Sequence, residues 1–310
     1  MPAPLHWTGE RLQILDQTRL PHEEVVLTLA GADDVAGAIR RLAVRGAPLI
    51  GVAAAYGVAM EAAARPDAWR EGAARLRAAR PTAVNLAWAV DRMVAAGGAA
   101  SEAEAIHRDD VASSAALGRH GADALEAALP AGPLTIMTHC NAGALAASGR
   151  GTALSVICEL ADRRPVHVLT CEARPLLQGA RLTVWELRRH GISHELVVDA
   201  AAAGLIRRGE VDAVVTGFDR VAANGDVANK VGTYGLALAA HAAGVPFVAA
   251  GPMSSVDAST PTGDAIEIEE RGADEVRRDW TLPGTAVRNP AFDVTPAELV
   301  WALVTEQGVM

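Results

Sequence analysis

The sequence predicts an α/β protein, with a mainly helical N-terminal domain followed by a Rossmann-like parallel-sheet domain. Up to about residue 130, apolar residues recur at helical spacing. From about residue 133, short apolar runs alternate with helical segments, which is typical of a parallel sheet covered on both faces. The 310 residues suffice for two domains of ordinary size, which we place at 1–130 and 131–310.

The first part of the chain contains four predicted helices and a small β element. The segment at 49–64 is apolar on all sides, so we expect it to be buried. Pro81 suits the first turn of a helix, where its missing N–H costs nothing. The alanine-rich stretch before residue 130 is typical of a connecting helix. The predicted helices are 32–44, 49–64, 82–95 and 101–129, and the β element is 12–15 with 25–29.

In the second part, five apolar runs are predicted as strands, and a polar or reactive group follows each. Ligands of open α/β sheets bind beyond the carboxyl ends of the strands. The groups at these ends are therefore expected to meet at one site. The strands are 133–138, 166–170, 195–199, 211–216 and 245–250; the groups are Cys140, Glu172 with Arg174, Asp199, Asp219, and the turn at Gly251 and Pro252.

Composition excludes several classes of protein. A net charge of −9 argues against nucleic-acid binding, which needs a basic face. We find no uninterrupted run of 18 apolar residues that would indicate a membrane span. The N-terminus lacks the basic and apolar regions of a signal peptide. Three cysteines, an odd number, fit a reducing cytoplasm better than a disulfide framework.

Cys140 is the first candidate for chemistry. It follows an apolar strand and precedes a helix-like segment of small residues at 144–147. A thiol facing a helix N-terminus is in an environment that favours negative charge, and the same environment suits phosphate. A buried cysteine is otherwise a small apolar residue. We interpret Cys158 as a core residue and leave Cys171 open. The cysteine and histidine spacings do not match a zinc motif.

Asp219 follows an apolar strand that ends in Phe218. It could simply cap a helix or pair with Arg220. If the apolar surroundings desolvate it, its pKa rises and it becomes a usable general acid. Three cationic positions could bind phosphate: Arg45 before Gly46 and Ala47, Arg80 before a predicted helix, and Lys230 beside Asn229. Each is otherwise a surface charge or a solvated loop. We find no dinucleotide or nucleotide-triphosphate motif.

Together these motifs resemble the methylthioribose-1-phosphate isomerases. This family shares a superfamily with ribose-1,5-bisphosphate isomerase and with the regulatory subunits of translation initiation factor 2B. The resemblance runs from about Leu15 to Val309. The motifs that carry it are residues 44–48, 80–86, 138–143, 174–183, 219–234, 268–271 and 289–296.

The resemblance implies a homodimer that converts an aldose 1-phosphate to a ketose 1-phosphate in methionine salvage, without a cofactor or metal. It implies catalytic roles for Cys140 and Asp219. Because the phosphate blocks O1, an acid must protonate the ring oxygen, and hydrogen must then move from C2 to C1. The implied substrate contacts are Arg45, Gly46, Ala47, Arg80, Gln178, Asn229 and Lys230.

The chain departs from the family pattern at several positions near the strand ends. Phe218 replaces a usual alanine, Arg150 a usual tyrosine and Cys171 a usual acidic residue; Ala173 and Ala200 also differ. These changes leave the C5 substituent of the substrate open, with 5-deoxyribose 1-phosphate as an alternative. Arg150 is a possible charge for a second phosphate, as in ribose 1,5-bisphosphate. A non-enzymatic regulatory subunit is the remaining alternative.

Overall fold

The computed structural model describes residues 3–80 and 83–310 and confirms the α/β class. A small antiparallel sheet of three strands opens the chain, and helices follow it. Pro81 and Thr82, predicted as the start of a helix, lie outside the described residues. The elements are β1 (Leu5–Trp7), β2 (Leu12–Leu15), β3 (Val26–Leu29), α1 (Ala32–Arg40), α2 (Ala47–Ala64), α3 (Trp69–Arg77), α4 (Val84–Ala95) and α5 (Ala100–Ala128).

Helix α2 is the centre of this part, as its sequence predicts. Its side chains from Leu49 to Glu61 are all buried, because α1, α3, α4 and α5 pack around it. By length and composition α2 could cross a membrane, but 72% of it is buried inside the protein. It is the core helix of a folded domain.

The second part contains two sheets and four further helices. The four-stranded sheet has the order β11-β8-β9-β12, and the seven-stranded sheet has the order β14-β13-β10-β7-β4-β5-β6. The elements are β4 (Leu134–His139), α6 (Ala153–Arg163), β5 (Val166–Cys171), α7 (Val184–His190), β6 (Ser193–Val197), α8 (Ala202–Arg207), β7 (Ala213–Gly217), β8 (Arg220–Ala222), β9 (Val227–Lys230), α9 (Thr233–Ala243), β10 (Phe247–Ala250), β11 (Val256–Asp257), β12 (Phe292–Thr295), β13 (Ala302–Thr305) and β14 (Gly308–Val309).

The large sheet is doubly wound. All its neighbouring strands are parallel except for the hairpin of β13 with β14. The chain leaves β4 towards β5 and β6 on one side, and returns to β7 and β10 on the other. The strand order therefore reverses between β4 and β7. A ligand crevice is expected outside the carboxyl ends of these two strands.

Some sequence predictions were wrong in detail. The helix predicted at 32–44 ends at Arg40, and Leu42 has a φ of 62°, which a helix cannot include. Residues 144–147 form turns, and the next helix begins only at Ala153. The thiol of Cys140 is thus followed by an irregular loop. The predictions also missed α3, the four-stranded sheet, and strands β13 and β14.

Helix α5 connects the two parts. Its N-terminal half contributes Ala103 and Ile106 to the core around α2. Its C-terminal half contributes Leu117 and Leu125 to the core beneath the large sheet. One continuous helix therefore fixes the helical part against the sheet, and the crevice lies where the two parts meet.

Candidate active site

A single cleft collects the nine residues that the sequence assigned to catalysis or substrate binding. The expectation that all five strand-end groups would meet there was wrong in part, because Glu172, Arg174, Asp199 and the turn at Gly251 and Pro252 do not line it. The space inside it that the centre of a water-sized molecule can occupy is about 90 Å³. The cleft lies at the carboxyl ends of β4 and β7, where the strand order reverses, and the start of α2 closes it from the helical side. The nine residues are Arg45, Gly46, Ala47, Arg80, Cys140, Gln178, Asp219, Asn229 and Lys230.

Cys140 follows β4 directly and has a φ of 61°. A non-glycine residue in this left-handed region is unusual and often marks a functional turn. The hydroxyl of Thr183 donates to the Cys140 carbonyl at 2.6 Å and holds the turn. Burial raises the pKa of the thiol, while Lys230, Arg45 and the N–H of Asn141 act in the opposite direction. The thiol is therefore protonated at rest.

Asp219 lies across the switch point, two residues beyond β7. Its backbone N–H donates to the carbonyl of Ala228 at 3.0 Å. Arg220 pairs with Asp257, so the alternative of an Asp219–Arg220 pair was wrong. Burial raises the pKa of Asp219, and Lys230, Arg80 and Arg45 lower it by a smaller amount. A carboxyl whose protonated form is favoured in this way is suited to donate a proton.

Arg45 is buried and fixes the Cys140 turn. Its Nη1 donates to the carbonyl of Asn141 at 2.8 Å, and its Nη2 donates to the Asn141 side chain. Its Nε donates to Gln17 Oε1 at 3.0 Å. The guanidinium therefore contributes charge to the cleft while most of its donors bind protein groups.

Gly46 lets the start of α2 approach the wall of the cleft. Its φ is 93°, and a Cβ there would lie 2.4 Å from the Ala146 Cα. The Leu49 N–H donates to the Ala146 carbonyl at 3.0 Å. Among the described residues, the N–H groups of Gly46 and Ala47 have no backbone acceptor. These groups, with the helix dipole, form an anion-binding position.

Lys230 ends β9 and reaches into the cleft. Its Nζ donates to the Ala291 carbonyl at 2.7 Å and lies 4.5 Å from the centre of the Phe292 ring. Burial lowers its pKa, and the nearby Cys140 and Asp219 raise it. Asn229, also buried, donates to the Thr233 hydroxyl at 3.0 Å.

Gln178 is 8% exposed. Its buried Oε1 has no hydrogen-bond partner among the described residues. A buried acceptor without a partner costs free energy unless a ligand or water satisfies it. Gln178 is thus well placed to accept from a hydroxyl group in the cleft.

Two groups of functional interest were not assigned from the sequence. Glu269 accepts from Arg80 at 2.8 Å and from Arg271 at 2.9 Å, so it joins a cation of the helical part to one of the sheet part. Glu186 is fully buried beneath the Cys140 loop, where it accepts from Asn141 and Ala144 at 2.7 Å each. Glu269 stood in a motif that indicated it; Glu186 lies in an ordinary helical pattern.

The departures from the family pattern lie at different distances from the cleft. Phe218 lines it, 5% exposed. Cys171 is buried at the end of β5. Arg150 pairs with Asp162 at 2.5 Å and does not line the cleft. The expectation that Arg150 could receive a second phosphate was therefore wrong.

Comparison with known proteins gives consistent similarities. A model of the initiation factor 2 subunit family matches residues 43–310. A methylthioribose-1-phosphate isomerase of Anaeromyxobacter sp. (strain Fw109-5) is 52% identical, covering 96% of this chain and 91% of the relative. One of Magnetococcus marinus is 50% identical, with the same coverage of both chains.

Solved structures show the same similarity in three dimensions. The 5-methylthioribose 1-phosphate isomerase of Pyrococcus horikoshii OT3 superposes with a TM-score of 0.89 at 37% identity, covering 100% of this chain and 92% of that one. A structure described as translation initiation factor eIF-2B, subunit delta, from A. fulgidus has a TM-score of 0.86 at 36% identity, covering 99% and 95%.

Proposed function

The chain belongs to the initiation factor 2 subunit family and, within it, to the methylthioribose-1-phosphate isomerases, and on this premise we propose that it converts 5-methylthioribose 1-phosphate to 5-methylthioribulose 1-phosphate. This aldose–ketose isomerisation would be a step of methionine salvage. Hydrogen moves within one molecule, so the reaction is redox-neutral and requires no external oxidant or reductant.

The observation that carries the proposal is the charge arrangement of the cleft. Cys140 and Asp219 lie on the two sides of the switch point, and burial raises the pKa of both. Burial therefore favours the neutral form of both groups. Arg45, Lys230 and Arg80, the last of which is paired with Glu269, then supply positive charge for a phosphate dianion, beside the N–H groups of Gly46 and Ala47.

Asp219 is the proposed general acid. Its proton passes to the ring oxygen as the bond between that oxygen and C1 breaks, which opens the ring without freeing O1. The C2 hydrogen then moves to C1, the C2 hydroxyl loses its proton, and C2 becomes the ketone. The hydroxyl proton restores the acid form of Asp219, so the atoms balance over one turnover.

Cys140 is the proposed partner of the C2 hydrogen. As a thiolate it would remove this hydrogen as a proton and return it to C1; as a thiol it would stabilise charge during a hydride shift. The raised pKa of Cys140 favours the thiol. Turnover in D2O tests the hydride route: a hydride shift leaves C1 of the product free of solvent deuterium, and deuterium at C1 would rule it out.

Substitution tests the two roles directly. We expect Cys140→Ser and Asp219→Asn to lower kcat by about 10²–10⁴-fold or more, the usual effect of losing a general acid or base. Cys158→Ser, in the buried face of α6, is the matched control for Cys140 and should retain turnover. Near-normal kcat in both Cys140→Ser and Asp219→Asn would refute the mechanism.

The C5 substituent needs its own test. A panel of ribose 1-phosphates that differ only at C5 would compare methylthio, hydrogen and phosphate groups. We expect the highest kcat/KM for the methylthio sugar. A preference for 5-deoxyribose 1-phosphate would support that alternative, to which the bulk of Phe218 in the cleft lends weight.

The second candidate function is that of a non-enzymatic regulatory subunit of an initiation factor. The similarity to the A. fulgidus structure supports it. Such a role needs neither a buried acid nor a thiol at the switch point. This candidate would be favoured if the purified protein binds the sugar phosphates of the panel but turns over none of them.

We also propose that the protein is a cytoplasmic homodimer. Its three cysteines are free thiols, which suits a reducing compartment. Strand β6 lies at the edge of the large sheet, and Leu196 and the adjoining Val198 are 52% and 57% exposed. We expect light scattering to give twice the chain mass, and Leu196→Asp to halve it.

A further inference from the structure

Beside the cleft, three potential metal ligands converge at the ends of β4, β5 and β6. They are His139, Cys171 and Asp199, and their ligand atoms all lie within 4.8 Å of one another. The register explains the convergence, since His139 lies opposite Cys171, and Cys171 lies opposite Val197 at the end of the next strand. His139 and Cys171 are buried, 2% and 1% exposed.

The imidazole of His139 points to a ligand. Its Nε2 lies 2.8 Å from the carbonyl of Val231, and because a carbonyl can only accept, Nε2 carries the proton. The bare lone pair is therefore on Nδ1. This atom is buried and has no hydrogen-bond partner among the described residues. It lies 3.8 Å from Asp199 Oδ1, which is also an acceptor, so a cation or a donor is needed between them.

Hydrogen bonds hold two of the three groups, His139 and Asp199, as outer-shell partners hold metal ligands. The carbonyl of Val231 fixes the tautomer and direction of His139. The N–H groups of Ala173 and Arg174 donate to the two oxygens of Asp199 at 2.9 and 2.7 Å. Such hydrogen bonds orient ligands and are part of a metal site.

We propose that His139, Cys171 and Asp199 form a binding site for a thiophilic divalent cation such as Zn²⁺. Imidazole, thiolate and carboxylate are all zinc ligands, and three protein ligands leave the fourth position open. A thiolate and a carboxylate balance the charge of the ion. The Asp199 side chain is 31% exposed, so the ion and a water molecule can enter from that side. Binding releases the Cys171 proton.

The site was not visible in the sequence because its ligands stand far apart in the chain. Zinc-binding sequence motifs have short spacings between ligands, whereas here the register of the sheet brings distant residues together. Of the three ligands only His139 also lines the cleft, whereas Cys171 and Asp199 do not. The test of metal binding does not depend on the proposed function.

Cobalt(II) is the probe for the test, because a thiolate ligand gives it a charge-transfer band in the near ultraviolet. After chelator treatment and desalting, we expect the full-length protein to bind one Co²⁺ per chain with this band, and one equivalent of Zn²⁺ to displace it. Zn²⁺ should also raise Tm, as any ligand of the folded state does.

Variants identify the ligands. Cys171→Ala should lose the band and at least about 100-fold in affinity, which is the upper end of what loss of an outer-shell partner costs. Cys171→Asp should keep binding but lose the band. Cys140→Ser and Cys158→Ser are the matched controls and should keep it.

Absence of a band in the parent protein, or its persistence in Cys171→Ala, would overturn the proposal. Loss of the band in Cys140→Ser would overturn it as well, since the metal would then lie in the cleft. A far-ultraviolet circular dichroism spectrum of each variant shows whether it is folded. If Cys171→Ala is unfolded, loss of the band in Cys171→Asp is the deciding result.

Discussion

Replacement of Gly46 by alanine should be costly for two separable reasons. The first is conformational: at a φ of 93° and a ψ of 133°, an alanine is strained by about 1–3 kcal/mol. The second is steric, because the new Cβ would lie 2.4 Å from the Cα and 2.5 Å from the carbonyl oxygen of Ala146. Both atoms belong to the backbone and cannot rotate away, so overpacking adds about 1–3 kcal/mol.

Gly9 provides the matched control. It has a φ of 96°, and a Cβ there would meet no atom within 4 Å. Gly9→Ala should therefore lower the free energy of unfolding by the strain alone, about 1–3 kcal/mol. The difference between the two variants isolates the contact with Ala146, and we expect it to be about 1–3 kcal/mol.

The assay is urea denaturation of the parent and both variants, compared at equal m-values. Turnover gives a second readout, because the displaced Ala146 loop adjoins Cys140 and the start of α2. A shift of about 1 Å in such a position can cost about 10²-fold in rate, whereas Gly9→Ala should leave turnover unchanged. Equal destabilisation by the two substitutions would refute the argument from close packing.

Three other predictions follow from the electrostatics of the site. The kcat/KM should be retained at low pH and fall as the pH rises through the raised pKa of Asp219, because the acid form is then lost; a pH profile checks this, and a rate that climbs with pH would contradict it. Because Glu269 raises the pKa of Asp219, Glu269→Gln should move this fall to lower pH, while Glu270→Gln, the exposed neighbour, should leave the profile in place. Glu186→Gln should lower the free energy of unfolding by about 1–3 kcal/mol, because an amide has one acceptor oxygen and cannot accept from both sides of the Cys140 loop. The control Glu159→Gln, at a partly exposed position, should lower it by at most about 0.5 kcal/mol. Equal urea midpoints for the two variants would contradict this prediction.

The sequence predicts the strand ends well, because a short run of apolar residues indicates a strand that is buried in the sheet. Each of the five predicted strands exists, and the groups that follow β4 and β7 do face one cleft. The helix-like residues 144–147 misled because small apolar residues suit helices and tight loops equally. Here Glu186 accepts from the N–H groups of Ala144 and Leu145, which satisfies them without a helix.

Contacts between distant segments explain what the sequence could not predict. The pairing of Arg80 with Glu269 joins residues 189 positions apart, and no local pattern encodes it. Glu186 looks like any polar residue of a helix until the Cys140 loop covers it. Arg150 looked available for a phosphate because its partner, Asp162, becomes its neighbour only after α6 forms.

The division of the cleft between two parts of the chain has a chemical consequence. The thiol and the acid both belong to the sheet part, at strand ends that a rigid hydrogen-bonded ladder holds in place. Two of the three cations proposed to bind the phosphate, Arg45 and Arg80, come from the helical part. Phosphate binding and hydrogen transfer therefore depend on the docking of one part against the other. Glu269 lies at this junction, where it holds Arg80 against Arg271. A phosphate that attracts Arg80 must compete with Glu269, so substrate binding and the approach of the two parts are coupled through one carboxylate.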